Sequence, residues 1–291
     1  MTKIGVIGNL HSLFAGAWAI DQQYASSWLP VIHNILAGKT EARAVSDENT
    51  EPIVSFLALS SDEKFVKLTE DDPKTDVIAV LEIKSPIVKY TQGCGPVGTK
   101  DMMALMDEWL QYDNIKAVLL DIDSGGGQVS GTAEFAEYIN NYPLPVGVYT
   151  DGMVASAAYY LAAGADFIYM NKHADKIGSI GAYLQFIDFT GYYEKMGAKI
   201  HSIYGTKSTE KNKPFREALK GKYELIIKEV VDPIVDKFHN DINSYRKGIS
   251  EKVLKGATYS PEQALALGLI DKIAGKEEAL FELIRRVEHL N

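Results

Sequence analysis

"IKAVLLDIDSGGGQVSGTAEFAEYINN", residues 115–141, holds an apolar run, three consecutive glycines and an amphipathic stretch. Ile115 to Asp123 is nearly continuous in apolar residues rather than alternating, so it reads as a strand buried on both faces. Gly125 to Gly127 break the chain, and "SGTAEFAEYINN" follows as a helix. A strand that turns through glycine into a helix is half of a β-α-β unit.

The neighbouring sequence supplies more of the same. "DVIAVLEI", from Asp76, reads as a strand, and "TKDMMALMDEWLQY", from Thr99, has apolar residues at helical spacing. "PVGVYT" gives a third strand, the segment around Ser156 a helix, "DFIYMN" a fourth strand and "KIHSIYG", residues 199–205, a later one. Such an alternation implies an α/β fold of mostly parallel strands, with right-handed crossovers and helices packed on the faces.

Flanking segments differ in character. Gly38 to Asp76 is rich in Glu, Asp, Lys, Ser and Thr, with one apolar island, "IVSFLAL", and reads as a connector with one strand. The expected division is therefore a helical N-terminal segment and connector over 1–75, the α/β domain over 76–275, and a C-terminal helix over 276–291. Within the domain, Ile226, Ile227, Val230, Val231, Ile234, Val235 and Phe238 mark a long amphipathic helix. Ser260-Pro261-Glu262-Gln263 starts another, with serine as cap, proline in the first turn and Gln263 completing a capping box. Gly268 is placed to stop it.

Composition narrows the function classes. The chain has 291 residues, 46% of them apolar, which is ample for a core. A formal charge of −9 argues against a general nucleic-acid binder, because phosphate binding needs a basic surface. The single cysteine, Cys94, excludes an intramolecular disulfide and a zinc site of several cysteines. Residues 4–20 are apolar enough to be mistaken for part of an export signal. Asn9, His11 and Ser12 interrupt them, no clean cleavage site follows, and a span needs about 18 to 20 continuous apolar residues. The expectation is a cytoplasmic protein without a membrane anchor.

Three constellations can carry chemistry. Glycines in "DIDSGGGQVSG" let backbone N–H groups turn outward toward an anion or a developing oxyanion. A dinucleotide site would want G-x-G-x-x-G, and Asp151 could imitate its ribose-binding acid, but Ser130 stands at the third glycine position; a plain strand-to-helix turn is the simpler reading. In "DGMVASAAYYLAAGAD", residues 151–166, Ser156 has small neighbours that permit close backbone approach, though an ordinary serine in a first helical turn looks the same. "YGTKSTEKNKPF", residues 204–215, carries Lys207, Lys211 and Lys213. Loop lysines are usually solvated. One drawn into an apolar pocket would lose proton affinity and serve as a general base.

Taken together, the order strand, S-G-G-G, helix; strand, A-S-A-A-Y-Y, helix; strand, G-S-I-G; then G-x-x-K resembles the signal peptide peptidase A (protease IV) family of serine peptidases, which share the fold of Clp protease and crotonase. The resemblance covers about Asp76 to Ala274, including "GATYSPEQALALGLID". It implies Ser156 as nucleophile and Lys207 as general base of a Ser-Lys dyad, with Gly126 N–H and Ala157 N–H forming the oxyanion hole. Ser124, Gly127 and Ser179 would be supporting positions. No metal or cofactor is required. The single catalytic unit and the opening "GAWAI" resemble the phage and prophage branch, implying capsid maturation on a scaffold or portal-associated protein substrate, and a ring-like homo-oligomer in which Ser156 of one protomer meets Lys207 of the next.

Three departures stand out. The usual S-P-G-G has Gly125 for proline, and the usual A-S-G-G has Ala157 and Ala158. Lys207 lies farther from Pro214 than the family's lysine does from its Pro-Phe, which leaves Lys211 as a weaker alternative base. His173 and His201 sit in no Ser-His-Asp pattern and read as surface or strand-edge residues. Rival readings are a crotonase-like acyl-CoA hydratase or isomerase, and a catalytically silent assembly protein of the same fold.

Overall fold

In the computed structural model, residues 18–21, 53–60, 62, 64–68, 75–91, 96–186, 188 and 190–290 are described. The central sheet contains β2 (Ile53–Leu59), β3 (Phe65–Leu68), β4 (Val77–Ile83), β5 (Ile115–Ile122), β7 (Val146–Thr150), β9 (Phe167–Met170) and β12 (Lys272–Ile273). Their spatial order is β12-β9-β7-β5-β4-β2-β3. From β12 to β4 each neighbouring pair is parallel, while β2 runs antiparallel to both β4 and β3. The mostly parallel α/β architecture expected from the sequence is what forms.

Both faces of the central strands β4, β5, β7 and β9 are covered, which is why these are mostly apolar, while the edge strands β2, β3 and β12 are partly exposed. On one face Leu81, Val118, Leu120, Val148 and Ile168 pack with α1 (Thr99–Trp109), α2 (Thr132–Asn140) and α3 (Ala157–Ala163), through Met102, Met106, Phe135, Ile139 and Leu161. On the other, Val80, Leu119, Tyr149 and Phe167 pack with the C-terminal helix through Ala279, Leu280 and Leu283.

Two smaller sheets frame the ends of the central strands. β1 (Trp18–Ile20) pairs with β6 (Gly126–Gln128), and β10 (Lys176–Gly178) lies between β8 (Met153–Ala155) and β11 (Thr258–Tyr259). Beyond them come α4 (Thr190–Lys195), α5 (Lys213–Ala218), α6 (Glu224–Ile226), α7 (Asp232–Tyr245), α8 (Pro261–Ala266) and α9 (Lys276–Leu290).

The helix expected within 1–75 falls outside the described residues, as does most of the apolar segment 4–20. The described parts of that stretch are β1, β2 and β3, and the last two extend the central sheet. The expected strand "KIHSIYG" is a correction, since residues 199–205 form none. Ile200 is 57% and Ile203 94% exposed, so its apolar residues face no partner to pair with.

The long amphipathic helix is present but interrupted. A π-helical turn, Ile227–Val231, joins α6 to α7. Pro233 stands in the first turn of α7, and a proline ring crowds the carbonyl four residues back, so a widened turn there has a physical cause. Only Ile226, Phe238 and Ile242 of this stretch are buried; Phe238 stacks on Tyr160 with ring centroids 4.2 Å apart. The capping box forms as read: Ser260 N–H donates to Gln263 Oε1 at 3.1 Å, and Gly268 follows α8 with a φ of +78°.

Candidate active site

The site is assembled where β5 and β8 end. β8 is held by β10 on one side, Val154 opposite Ile177 and Ala155 opposite Gly178. On the other it is held by Ser124, whose N–H donates to Met153 O at 2.7 Å and whose carbonyl accepts from Ala155 N–H at 3.0 Å. Asp123 adds a third tie, its Oδ1 accepting from Met153 N–H at 2.9 Å. The glycine loop after β5 and the residues before Ser156 are thus one hydrogen-bonded unit.

Ser156 sits at the corner where β8 becomes α3. Its φ of 56° and ψ of −116° lie outside the regions that side chains ordinarily allow. Such a conformation persists only where the surroundings impose it. Here Ser156 N–H donates to Gly178 O at 2.8 Å, its carbonyl accepts from Tyr160 N–H at 2.9 Å, and Ala155, Ala157 and Ala158 are fully buried around it. Its Oγ donates to Gly181 O at 3.4 Å, a long and therefore weak bond, and the residue is 1% exposed. A serine on a strained strand-to-helix corner has the backbone geometry of a nucleophile elbow, with the difference that an elbow exposes its hydroxyl and this one is buried.

Gly126 completes the corner. Its φ is +101°, and a Cβ there would lie 2.8 Å from Ala155 O and 3.0 Å from Ala157 N, and well inside contact distance of Ala19 O. The glycine loop therefore packs directly on the backbone flanking Ser156. Gly126 N–H donates to Ser124 Oγ at 3.2 Å, while that hydroxyl donates to Ser85 O at 2.6 Å. Gly127 is pressed against the Ile87 backbone and has no room for a side chain. Ser179, φ 55°, follows the glycine whose carbonyl receives the Ser156 N–H, and its own N–H donates to Ala257 O at 2.8 Å.

Ser156, Ala157, Gly126, Gly127, Ser124 and Ser179 are brought together, and the two candidate lysines are not. Lys207 and Lys211 lie exposed on the turns before α5, where Ser208 N–H donates to Gly205 O at 2.8 Å and Lys211 N–H to Ser208 O at 3.3 Å. Among the described residues, no hydrogen bond joins either lysine to Ser156. Lys213 pairs instead with Glu210 at 2.8 Å, and this bond raises the lysine's proton affinity. His173 and His201 are exposed, as the sequence implied.

One electrostatic group escaped the sequence reading. Asp121, 3% exposed at the end of β5, pairs with Lys276 at 2.7 Å and with Lys84 at 3.7 Å. Burial depresses the Lys84 ammonium, but Asp121, Glu82 and Asp151 outweigh it and hold the lysine above its ordinary value. An aspartate inside a strand of Leu and Ile was the available signal, because a buried carboxylate requires a cation.

The family model described as Peptidase family S49 matches residues 140–288, more than half of the 291 residues. The chain belongs to peptidase family S49. A Clp protease model matches residues 75–175, in line with the expected fold. The chain is 32% identical over 203 residues to "Putative protease MJ0651" of Methanocaldococcus jannaschii, covering 67% of this chain and 65% of that one. It is 24% identical over 254 residues to "Capsid assembly protease C" of Escherichia phage lambda, covering 84% of this chain and 57% of that one. It thus spans about half to two thirds of the length of these curated relatives. Among solved structures, a "1510-N membrane protease specific for a stomatin homolog" from Pyrococcus horikoshii aligns with a TM-score of 0.40 at 18% identity, over 72% of this chain and 76% of that one.

Proposed function

We propose that this S49 family member is a serine endopeptidase in which Ser156 Oγ attacks a peptide carbonyl. The observation that carries the reading is the buried, strained corner at Ser156 with Gly126 packed on the backbone at either side of it. The hydroxyl forms a C–O bond to the carbonyl carbon, and its proton passes to the neutral amine of Lys207. Ala157 N–H and Gly126 N–H stabilise the tetrahedral oxyanion, the latter once it leaves Ser124 Oγ. Collapse expels the amine, which takes the proton back from Lys207, and water then cleaves the acyl-enzyme.

Lys207 reaches Ser156 in an assembly rather than within one chain. The support is that Ser156 is buried while Lys207 is exposed in a stretch of sequence whose Ile203, Phe215 and Leu219 are also solvent-facing, apolar area that a second copy would cover. The natural setting proposed is phage or prophage capsid maturation, with a scaffold or portal-associated protein as substrate. Its support is the similarity to the lambda capsid assembly protease over 84% of this chain. The protein is read as cytoplasmic; among the described residues no helix is long and apolar enough to cross a membrane.

The test uses labelling and complementation. A fluorophosphonate probe should label the wild-type chain at Ser156, and Ser156→Ala should lose about 10³-fold or more in casein cleavage. Co-refolding inactive Ser156→Ala with inactive Lys207→Ala should restore part of the activity, because mixed assemblies contain intact Ser156–Lys207 pairs. Wild-type turnover by Ser156→Ala would overturn the peptidase assignment. A well-mixed oligomer with no recovered cleavage would overturn the shared site alone, and activity in Lys207→Ala with none in Lys211→Ala would move the base to Lys211.

A further inference from the structure

The glycine loop beside Ser156 already carries a strand. β1 runs antiparallel along β6, with Trp18 opposite Gln128, Ala19 opposite Gly127 and Ile20 opposite Gly126. The pairing continues one residue further, Asp21 N–H donating to Gly125 O at 2.7 Å. The other edge of β6 is taken by Ile87, whose N–H donates to Gly126 O at 2.9 Å and whose carbonyl accepts from Gln128 N–H at 2.8 Å. β1 therefore fills the edge that remained for an added strand.

Its position is over the candidate site rather than merely near it. Ala19 and Ile20 are 3% and 7% exposed. The Ala19 carbonyl crowds the same Gly126 carbon that lies against Ala155 O and Ala157 N, the backbone on both sides of Ser156. Asp21 then ties the segment to the opposite wall. Its carboxylate pairs with Lys176 at 3.4 Å, and Lys176 opens β10, the strand beside the one that ends at Ser156. Tyr183, two residues beyond the Gly181 carbonyl that accepts from Ser156, has its phenol held un-ionised by burial and then by the Asp21 charge. Both walls of the approach thus hold this segment, one along β6 and the other through Asp21.

We propose that the edge of Gly125–Gln128 is a strand-addition site for an extended polypeptide, and that Trp18–Asp21 is its resident occupant, which an incoming chain must displace. Three of the four residues on the receiving edge are glycine, so recognition there is of main chain and tolerates varied sequences. A site open in only a fraction of molecules weakens apparent affinity by that fraction. The proposal rests on the peptidase reading only for calling the incoming chain a substrate; binding itself does not depend on it.

Peptide binding separates the two. The probe is a fluorescein-labelled peptide copying residues 15–24, added to the full chain carrying Ser156→Ala and Cys94→Ser and followed by anisotropy. Adding Asp21→Lys places like charge opposite Lys176 and should tighten probe binding about tenfold or more. The converse variant, Trp18→Cys with Gln128→Cys, uses a strand pair without mutual hydrogen bonds, where side chains approach closely enough for a disulfide. Once oxidised it should lose probe binding and regain it on reduction. Equal affinity with and without Asp21→Lys, undiminished binding to the oxidised pair, or no binding to any form would overturn the proposal. Failure of the fluorophosphonate probe to label wild-type Ser156, with these responses intact, would instead fell the peptidase reading and leave the occupied edge standing.

Discussion

Gly126→Ala should be among the most damaging single-methyl changes this chain can suffer, and its size follows from the site. The residue has a φ of +101°, which costs an alanine about 1–3 kcal/mol. The added Cβ also meets three backbone atoms: Ala19 O, Ala155 O at 2.8 Å and Ala157 N at 3.0 Å. The first contact can be relieved if β1 moves away. The other two cannot, because Ala155 is hydrogen-bonded to Ser124 and Ala157 begins a buried helix. Overpacking of that kind costs about 1–3 kcal/mol more, for a total of about 2–6 kcal/mol. Urea unfolding should show this as a lowered midpoint with an unchanged slope. Gly191→Ala is the control, since nothing lies within 4 Å of a Cβ there, and it should stay within about 0.5 kcal/mol of wild type. A Gly126→Ala chain within about 1 kcal/mol of wild type would refute the claim that the glycine loop is wedged against the Ser156 corner.

Two further outcomes follow from the same structure. Ser156→Gly should unfold a degree or two higher than Ser156→Ala, because glycine relieves the φ of 56° while alanine keeps it, and a calorimetric Tm that ranks them the other way would show the corner to be unstrained. Stability should also fall as pH rises above about 10, because burial raises the Tyr138, Tyr142, Tyr159 and Tyr160 phenols above that ordinary value. A raised folded-state pKa contributes stability that is complete below the unfolded value and is lost progressively as pH rises from there toward the folded-state value. Beyond the absorbance of the exposed Tyr90, Tyr112, Tyr192, Tyr193 and Tyr223, a further phenolate phase should appear together with loss of circular dichroism, and unfolding without such a phase would contradict the burial argument.

What was legible in the sequence was what is determined locally. The apolar run Ile115–Asp123, the glycines after it and the helix of Thr132–Asn140 each announce themselves within a dozen residues, and the order of such units sets a parallel sheet. The Ser156 corner could be located but not its backbone strain, which depends on Gly178, Gly126 and Tyr160 meeting around it. β1 was illegible for a related reason. Three residues, Trp18 to Ile20, carry no period, and their partner is more than a hundred positions away. "KIHSIYG" failed in the opposite sense: its composition suits a strand, but a strand also needs a neighbour, and Ile203 at 94% exposure has none.

The two halves of the proposed dyad are built to different standards, and that difference bears on how activity would be controlled. The nucleophile half is fixed by backbone hydrogen bonds from three directions and is 1% exposed. The segment bearing Lys207 lies in solvent, with Met196, Ile200 and Ile203 at 67%, 57% and 94% exposure on its approach. Exposed apolar residues raise the free energy of the lone chain, so a contact that covers them and carries Lys207 to a buried serine would be driven by the same burial that removes water from the reaction. Under this proposal an isolated chain holds a strained serine without its base, and Trp18–Asp21 holds the peptide edge besides. Activity would then require both assembly and displacement of β1, two independent conditions that the complementation and strand-locking experiments separate.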